Sequence, residues 1–140
     1  MGYACKLGKM ESSLEGLRNH VKHKVLGNSY TNIQPYQTRI IVNQGGIYTE
    51  NNTVYLYIDF ITGQEISSNR TIATLYSPST RDTNLHILFT SMESNTLMNF
   101  AIENMIYVNS SNKAVSLECT YSMATISSGN SGKFYAIYTI

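Results

Sequence analysis

The clearest pattern in the chain is a strict alternation of apolar and polar side chains over 53–61. Side chains alternate across the pleat of a strand, so this pattern predicts a strand with one apolar face and one tyrosine-bearing face. The apolar face would hold Val54, Leu56, Ile58 and Phe60. A polar turn at 63–69 and a second predicted strand at 70–75 follow, and the segment 53–75 therefore predicts a hairpin.

Similar short runs continue along the chain. Strands are predicted at 38–42, 85–89, 97–102, 105–108, 114–126 and 133–139, with a brief strand or bulge at 47–50. Most of the connections are rich in Gly, Asn and Ser; 43–46 and 51–52 are predicted turns. About eight short strands with such turns predict an all-β fold, an antiparallel β-sandwich or jelly-roll-like head, with helix confined to the N-terminus.

A heptad seam precedes the strands. Its members are Leu7, Met10, Leu14, Leu17 and Val21, at spacings of 3, 4, 3 and 4. The seam predicts a helix that ends at Gly27-Asn28. Two interpretations stay open: a coiled-coil stub at which identical chains meet, which we favour, and an amphipathic helix packed on its own domain. The predicted organisation is an N-terminal helix or coiled-coil stem at 1–27, a polar linker at 28–37 and a head domain at 38–140.

Composition narrows the function classes. Charged residues make up 14% of the 140 residues and the net charge is +1, which argues against nucleic acid and anionic membranes as partners. No run approaches the roughly 18 apolar residues of a membrane span, and 1–10 lacks the apolar segment of a signal peptide. Cys5 and Cys119 are expected to be free thiols, in keeping with assembly in a reducing compartment.

The titratable residues do not form a catalytic motif. His86 is the only histidine of the predicted head, and no nucleophile motif accompanies it. His20 and His23 lie three apart on the predicted helix, where a solvated basic face is favoured over a metal site. The sequence therefore predicts a protein that is not an enzyme and holds no metal or cofactor.

The central segment resembles a known family. A long strand, a polar turn, the run Thr71-Ile72-Ala73-Thr74-Leu75 and then a loop with Pro78 and Arg81 are similar to the C-terminal head of bacteriophage tail-fibre and baseplate receptor-binding proteins. In those heads a similar T-I-A-T-L stretch follows the first long strand and precedes a proline-containing loop. A turn at 109–113, a Ser/Gly turn and a closing Tyr/Thr strand at 135–140 extend the resemblance over 53–140.

The resemblance implies a homotrimer of β-sandwich heads on a stem. Such a protein would assemble in the host cytoplasm, become part of the virion tail or baseplate beside other tail proteins, and bind a saccharide on the host cell surface. Polar and aromatic groups around one connection give the candidate ligand-binding residues Tyr76, Arg81, Asp82 and His86. The alternatives are a purely structural trimeric knob without glycan binding, and a trimeric module of the C1q/TNF-like type.

Overall fold

The computed structural model describes residues 13–35, 37–67, 71–76, 86–94, 100–101, 114–119 and 125–139. It contains a helix, α1 (Ser13–Leu26), and eight strands: β1 (Gln34–Pro35), β2 (Ile40–Glu50), β3 (Thr53–Thr62), β4 (Thr71–Tyr76), β5 (His86–Ser94), β6 (Phe100–Ala101), β7 (Ala114–Cys119) and β8 (Ser131–Thr139). Leu7, Met10, Cys5 and the predicted strand at 105–108 lie outside these residues.

The strands form two four-stranded sheets. One sheet has the order β2-β3-β8-β5 and the other has the order β1-β4-β7-β6, and every pairing among the described strands is antiparallel. The protein is thus mostly β, with one short helix in the described part of the chain. This much of the predicted fold class is confirmed.

Strand β3 follows the alternation that predicted it. Its apolar face is fully buried, and the residues concerned are Val54, Leu56, Ile58 and Phe60. These side chains share one hydrophobic cluster with Phe134 and Tyr138 of β8 and with Ile72 and Ala73 of β4. The cluster therefore includes side chains from both sheets.

The predicted hairpin over 53–75 is wrong. Strand β3 lies between β2 and β8, so both of its edges are occupied, whereas β4 belongs to the other sheet and pairs with β1 and β7. The true hairpin joins β2 to β3 through Asn51-Asn52, where Asn51 has a φ of 57°. Asparagine tolerates this left-handed conformation better than most residues do, which explains the turn.

The predicted turn at 43–46 is also wrong, because these residues continue β2. The register shifts between Val42 and Gln44, which leaves Asn43 as an extra residue in a β-bulge. Gly45 has a φ of 101°, and a Cβ added there would lie 2.1 Å from the backbone oxygen of Tyr57. The two glycines mark close approaches of backbone rather than a reversal of the chain.

Helix α1 lies on the other face of the β2-β3-β8-β5 sheet. Val21 and Val25 are fully buried and form a second hydrophobic cluster with Tyr57, Tyr135 and Ile137. The helix ends as predicted: Gly27 N–H donates to the His23 carbonyl at 2.9 Å, and the Asn28 side chain donates to the Lys24 carbonyl at 2.9 Å. The C-terminal half of α1 thus packs on its own domain.

Thr62 ties the end of β3 to the turn before β8. Its buried hydroxyl donates to the Ser127 carbonyl at 2.7 Å and accepts from the Asn130 N–H at 2.9 Å. Its backbone N–H donates to the Asn130 carbonyl at 2.9 Å, and its carbonyl accepts from the Gly129 N–H at 2.7 Å. One residue therefore holds the connection in register.

Substituting Thr62→Val should lower the free energy of unfolding by about 0.5–1.5 kcal/mol, because the shape is retained while the Asn130 N–H loses its acceptor and the Ser127 carbonyl loses one of its two donors. Thr49→Val on β2, where the side chain is exposed, is the matched control and should change stability little. Urea denaturation of the two variants measures the difference. Equal stabilities would contradict this role of the Thr62 hydroxyl.

Candidate functional site

An open groove lies between the chain that follows α1 and the first half of β2. Its volume is about 490 Å³. Its polar wall consists of Asn32, Gln34, Gln37, Thr38, Asn43 and Gln44. Most of the lining surface is apolar, and it comes from Tyr30, Ile33, Pro35, Ile40, Ile41 and Val42. All of the described residues that line the groove are uncharged.

A close backbone contact joins the two segments that border the groove. Thr31 and Ile47 form an isolated antiparallel bridge. The Thr31 N–H donates to the Ile47 carbonyl at 2.7 Å, and the Ile47 N–H donates to the Thr31 carbonyl at 2.8 Å. Gly46 permits this approach, because a Cβ there would lie 2.1 Å from the Thr31 carbonyl oxygen and 2.8 Å from the Tyr30 ring. The bulge at Asn43 then adds an extra residue to the groove wall.

The side chains of the groove suit hydrogen bonding to a neutral ligand. A carboxamide offers both donors and an acceptor, and a hydroxyl offers one donor and accepts as well. The Thr38 hydroxyl donates to the Gln64 side-chain oxygen at 2.9 Å, which orients one member of the wall. The described residues of the lining include no carboxylate and no imidazole.

A second polar cluster joins α1 to β5 and β8. The Arg18 guanidinium donates to the Ser91 hydroxyl at 2.7 Å and to the Met92 carbonyl at 3.2 Å, and it lies 3.8 Å from the Glu93 carboxylate. The Tyr135 hydroxyl donates to the other oxygen of Glu93. These contacts hold the helix across the sheet.

Two tyrosines under the helix have perturbed acidity. Tyr57 and Tyr135 pack with ring centroids 5.3 Å apart. Burial, together with the charges of Asp59 and Glu93, raises the pKa of Tyr57 to about 12. Burial and the hydrogen bond to Glu93 raise the pKa of Tyr135 as well. Both phenols are protonated at neutral pH, and the Tyr135 hydroxyl donates its hydrogen bond to Glu93.

A smaller cavity of about 260 Å³ lies beside this cluster, at the uncovered end of the sheet. Asp59, Lys133 and Glu93 follow one another across β3, β8 and β5 in it. Their mixed charges make it unlike the neutral groove. Among the described residues, no group of three or more His, Cys, Asp or Glu side chains is placed to share a metal ion.

The structure describes two of the four predicted ligand-binding residues, Tyr76 and His86. Tyr76 ends β4 in one sheet and His86 begins β5 in the other, and the His86 side chain is exposed. Arg81 and Asp82 lie outside the described residues. The predicted ligand site therefore stays a prediction, and the groove is a separate candidate.

The residues of the predicted oligomer interface divide along the helix. Val21 is fully buried against the sheet, whereas Leu14 and Leu17 are 48% and 40% exposed. Val21 therefore fits the alternative interpretation, an amphipathic helix packed on its own domain. The outward-facing leucines remain available for a partner.

Sequence reasoning missed the groove because 28–37 was interpreted as a linker. The available signal was the density of Asn, Gln and Thr on both sides of Pro35. A polar composition is equally typical of solvated loops, so this signal does not separate a binding wall from a connection.

No family model, curated protein or solved structure matches the chain. Among the described helical residues, no segment has the length and apolar character needed to cross a membrane.

Substituting Gly46→Ala should destabilise the protein by about 1–3 kcal/mol, because the added methyl group would overlap the Thr31 backbone. Gly16→Ala is the matched control, since nothing lies within 4 Å of its added Cβ and alanine favours a helix by up to about 1 kcal/mol. Thermal denaturation should therefore shift in opposite directions. A shift in the same direction would contradict the close approach.

Raised phenol pKa values make stability fall at alkaline pH. A group whose folded pKa exceeds its unfolded value contributes fully below the unfolded pKa and loses that contribution as the pH rises through the folded value. For Tyr57 this window runs from about pH 10 to about pH 12. Urea denaturation across the window should show a shallower loss of stability in Tyr57→Phe than in the wild type. Identical slopes would contradict the assignment.

Proposed function

We propose that this chain is a non-enzymatic binding head that recognises an uncharged saccharide in the groove between the Thr31 segment and β2. The observation that carries the proposal is the uncharged lining of that groove, in which amide side chains lie beside a larger apolar surface. The wider proposal is that of the family resemblance: a receptor-binding domain of a phage-type tail or baseplate, assembled as a homotrimer and directed at host surface glycans.

The chemistry of the lining matches that of a sugar. Sugar hydroxyls both donate and accept hydrogen bonds, and the carboxamides of Asn32, Gln34 and Gln44 do the same. Tyr30 and Ile41 supply apolar surface for the C–H faces of a ring. An anionic ligand would lose hydration without meeting a cation among the described lining residues, so a neutral glycan is favoured.

A sandwich head is part of the same proposal. Two antiparallel sheets are present, and buried side chains of β3, β4 and β8 belong to one hydrophobic cluster. Stacking of the two sheets face to face would bury that cluster between them. We propose this arrangement as the rigid body that presents the groove.

Trimeric assembly would make weak sites useful. A shallow, open site is expected to bind each saccharide weakly, and several linked sites raise the overall avidity without any new contact. Leu14 and Leu17 support an assembly role, because they remain substantially exposed on a helix whose following turns are buried. A trimer that binds no glycan would instead favour the purely structural knob.

The test is binding to a printed array that carries neutral and anionic bacterial surface glycans, with the protein at its native oligomeric state. The wild type should bind neutral glycans, and the double variant Asn32→Ala/Gln44→Ala should bind about tenfold or more weakly. Each lost hydrogen bond contributes about 0.5–1.5 kcal/mol, and 1.4 kcal/mol corresponds to tenfold. Both residues are exposed, so folding should be unaffected.

Two variants serve as comparisons. Asn19→Ala removes an exposed carboxamide from α1, outside the groove, and should bind like the wild type. Arg81→Ala/His86→Ala tests the site predicted around 76–86. Loss of binding in that variant alone would move the site there and overturn the groove, whereas binding of anionic glycans only would contradict the neutral ligand.

A further inference from the structure

The chain changes sheets at one end of the groove. Pro35 of β1 pairs with Ala73 of β4 in one sheet, and Ile40 at the start of β2 pairs with Thr62 of β3 in the other. The connection 36–39 must therefore cross from one sheet to the other in four residues. Gln37 belongs to this connection and lines the groove.

The backbone of Gln37 lies in the left-handed region, with a φ of 55°. A side chain is crowded by the backbone in this conformation, and glycine is the residue that adopts it freely. In the described part of the chain, Gln37 and Asn51 are the two non-glycine residues with positive φ. Asparagine tolerates this region well, whereas glutamine is not among the residues enriched there. The conformation of Gln37 therefore costs stability.

Contacts with the connection that follows β3 hold Gln37 in this conformation. The Thr38 hydroxyl donates to the Gln64 side-chain oxygen at 2.9 Å. The Gly63 N–H donates to the Arg39 carbonyl at 2.9 Å. A Cβ added at Gly63 would lie 2.2 Å from the Thr38 carbonyl oxygen, so the two segments touch through their backbones. The residues directly after Gln37 are thus fixed, and an unfavourable conformation persists where its surroundings are fixed in this way.

The side chain of Gln37 is free to contact a ligand. It is exposed, and it forms no hydrogen bond with another residue of the described ranges. The neighbouring Thr38 hydroxyl, in contrast, already donates to Gln64. A rigid backbone therefore carries a carboxamide whose donors and acceptor are all available.

Irregular backbone is concentrated at the groove. Gln37 and Gly45 are two of the four residues with positive φ in the described ranges, and both line it. The bulge at Asn43 lies in the same wall, and bulges of this kind commonly redirect side chains beside binding sites. The other two positive-φ residues, Asn51 and Gly129, lie in turns outside the groove.

We propose that Gln37 is a ligand-binding residue of the groove, whose carboxamide is presented to the saccharide by a backbone conformation that lowers the stability of the domain. The inference rests on the proposed function and assigns one of its contacts. Strained residues of this kind cluster at ligand sites, where the strain fixes a group in the geometry that binding needs. Stability and binding should therefore change in opposite directions when Gln37 is replaced by glycine.

The test combines thermal denaturation with binding to the printed array of neutral bacterial surface glycans. Gln37→Gly should raise the melting temperature by about 2–5 °C, because glycine adopts a positive φ without strain. The same variant should bind neutral glycans about three- to tenfold more weakly, because one or two hydrogen bonds are lost. Gln37→Ala also removes the carboxamide but keeps the Cβ, so it should bind as weakly as Gln37→Gly without the gain in stability.

Two substitutions to glycine are the matched controls. Asn51→Gly changes the other positive-φ side chain, which lies outside the groove, and should bind like the wild type. Gln44→Gly replaces a glutamine of β2 whose φ is not positive, and it should lower the melting temperature because glycine loses more backbone entropy on folding.

The outcomes separate this inference from the proposed function. A wild type that binds neutral glycans while Gln37→Gly and Gln37→Ala bind equally well overturns the role of Gln37 and leaves the groove standing. A melting temperature of Gln37→Gly at or below that of the wild type overturns the strain. A wild type that binds no neutral glycan overturns the proposed function and this inference together.

Discussion

Burial of β3 and β8 on both faces is the constraint on which the rest of the described structure depends. One face of each strand joins the cluster that also includes β4, and the opposite face lies under α1. Strands covered on both sides need apolar or aromatic residues at nearly every position, and five consecutive residues of β8 are buried. The helix is therefore a layer of the fold: without it, Tyr57 and Tyr135 would lie on an open surface.

The covering of that second face explains the distribution of tyrosines. Side chains at the boundary between a helix and a sheet are partly exposed to solvent. Tyrosine is favoured there because its ring packs against apolar side chains while its hydroxyl bonds to a polar group or to water. Tyr135 reaches Glu93, the Tyr55 ring meets the edge of His20 at a centroid distance of 5.6 Å, and Lys22 lies over Tyr57. For Tyr57 and Tyr135 the covering surface is the chain's own helix.

The local sequence pattern predicted where strands such as β3 lie, but it did not predict which strands pair with one another. Alternation located β3 and the final strand well, because burial on at least one face leaves a period of two in the sequence. It could not show that β3 pairs with β2 and β8 rather than with β4, since pairing depends on contacts distant in sequence. Spacings of 3 and 4 likewise describe a coiled-coil seam and a sheet-packed helix equally, which is why Val21 and Leu14 share a pattern but differ in environment. Gly45 and Gly46 predicted a turn because glycine is favoured both where the chain reverses and where two backbone segments approach closely. The residue type alone does not separate these two cases.

The crossing of Thr31 over Gly46 has a consequence for how the groove would meet a ligand. Two backbone hydrogen bonds and a contact too close for any side chain fix the two walls relative to each other during folding. The conformational entropy of those walls is then lost once, when the domain forms, rather than each time a ligand arrives. A groove whose borders are fixed in this way could select a ligand by its shape even though its lining is uncharged. Backbone geometry would then determine that shape more than the lining side chains do.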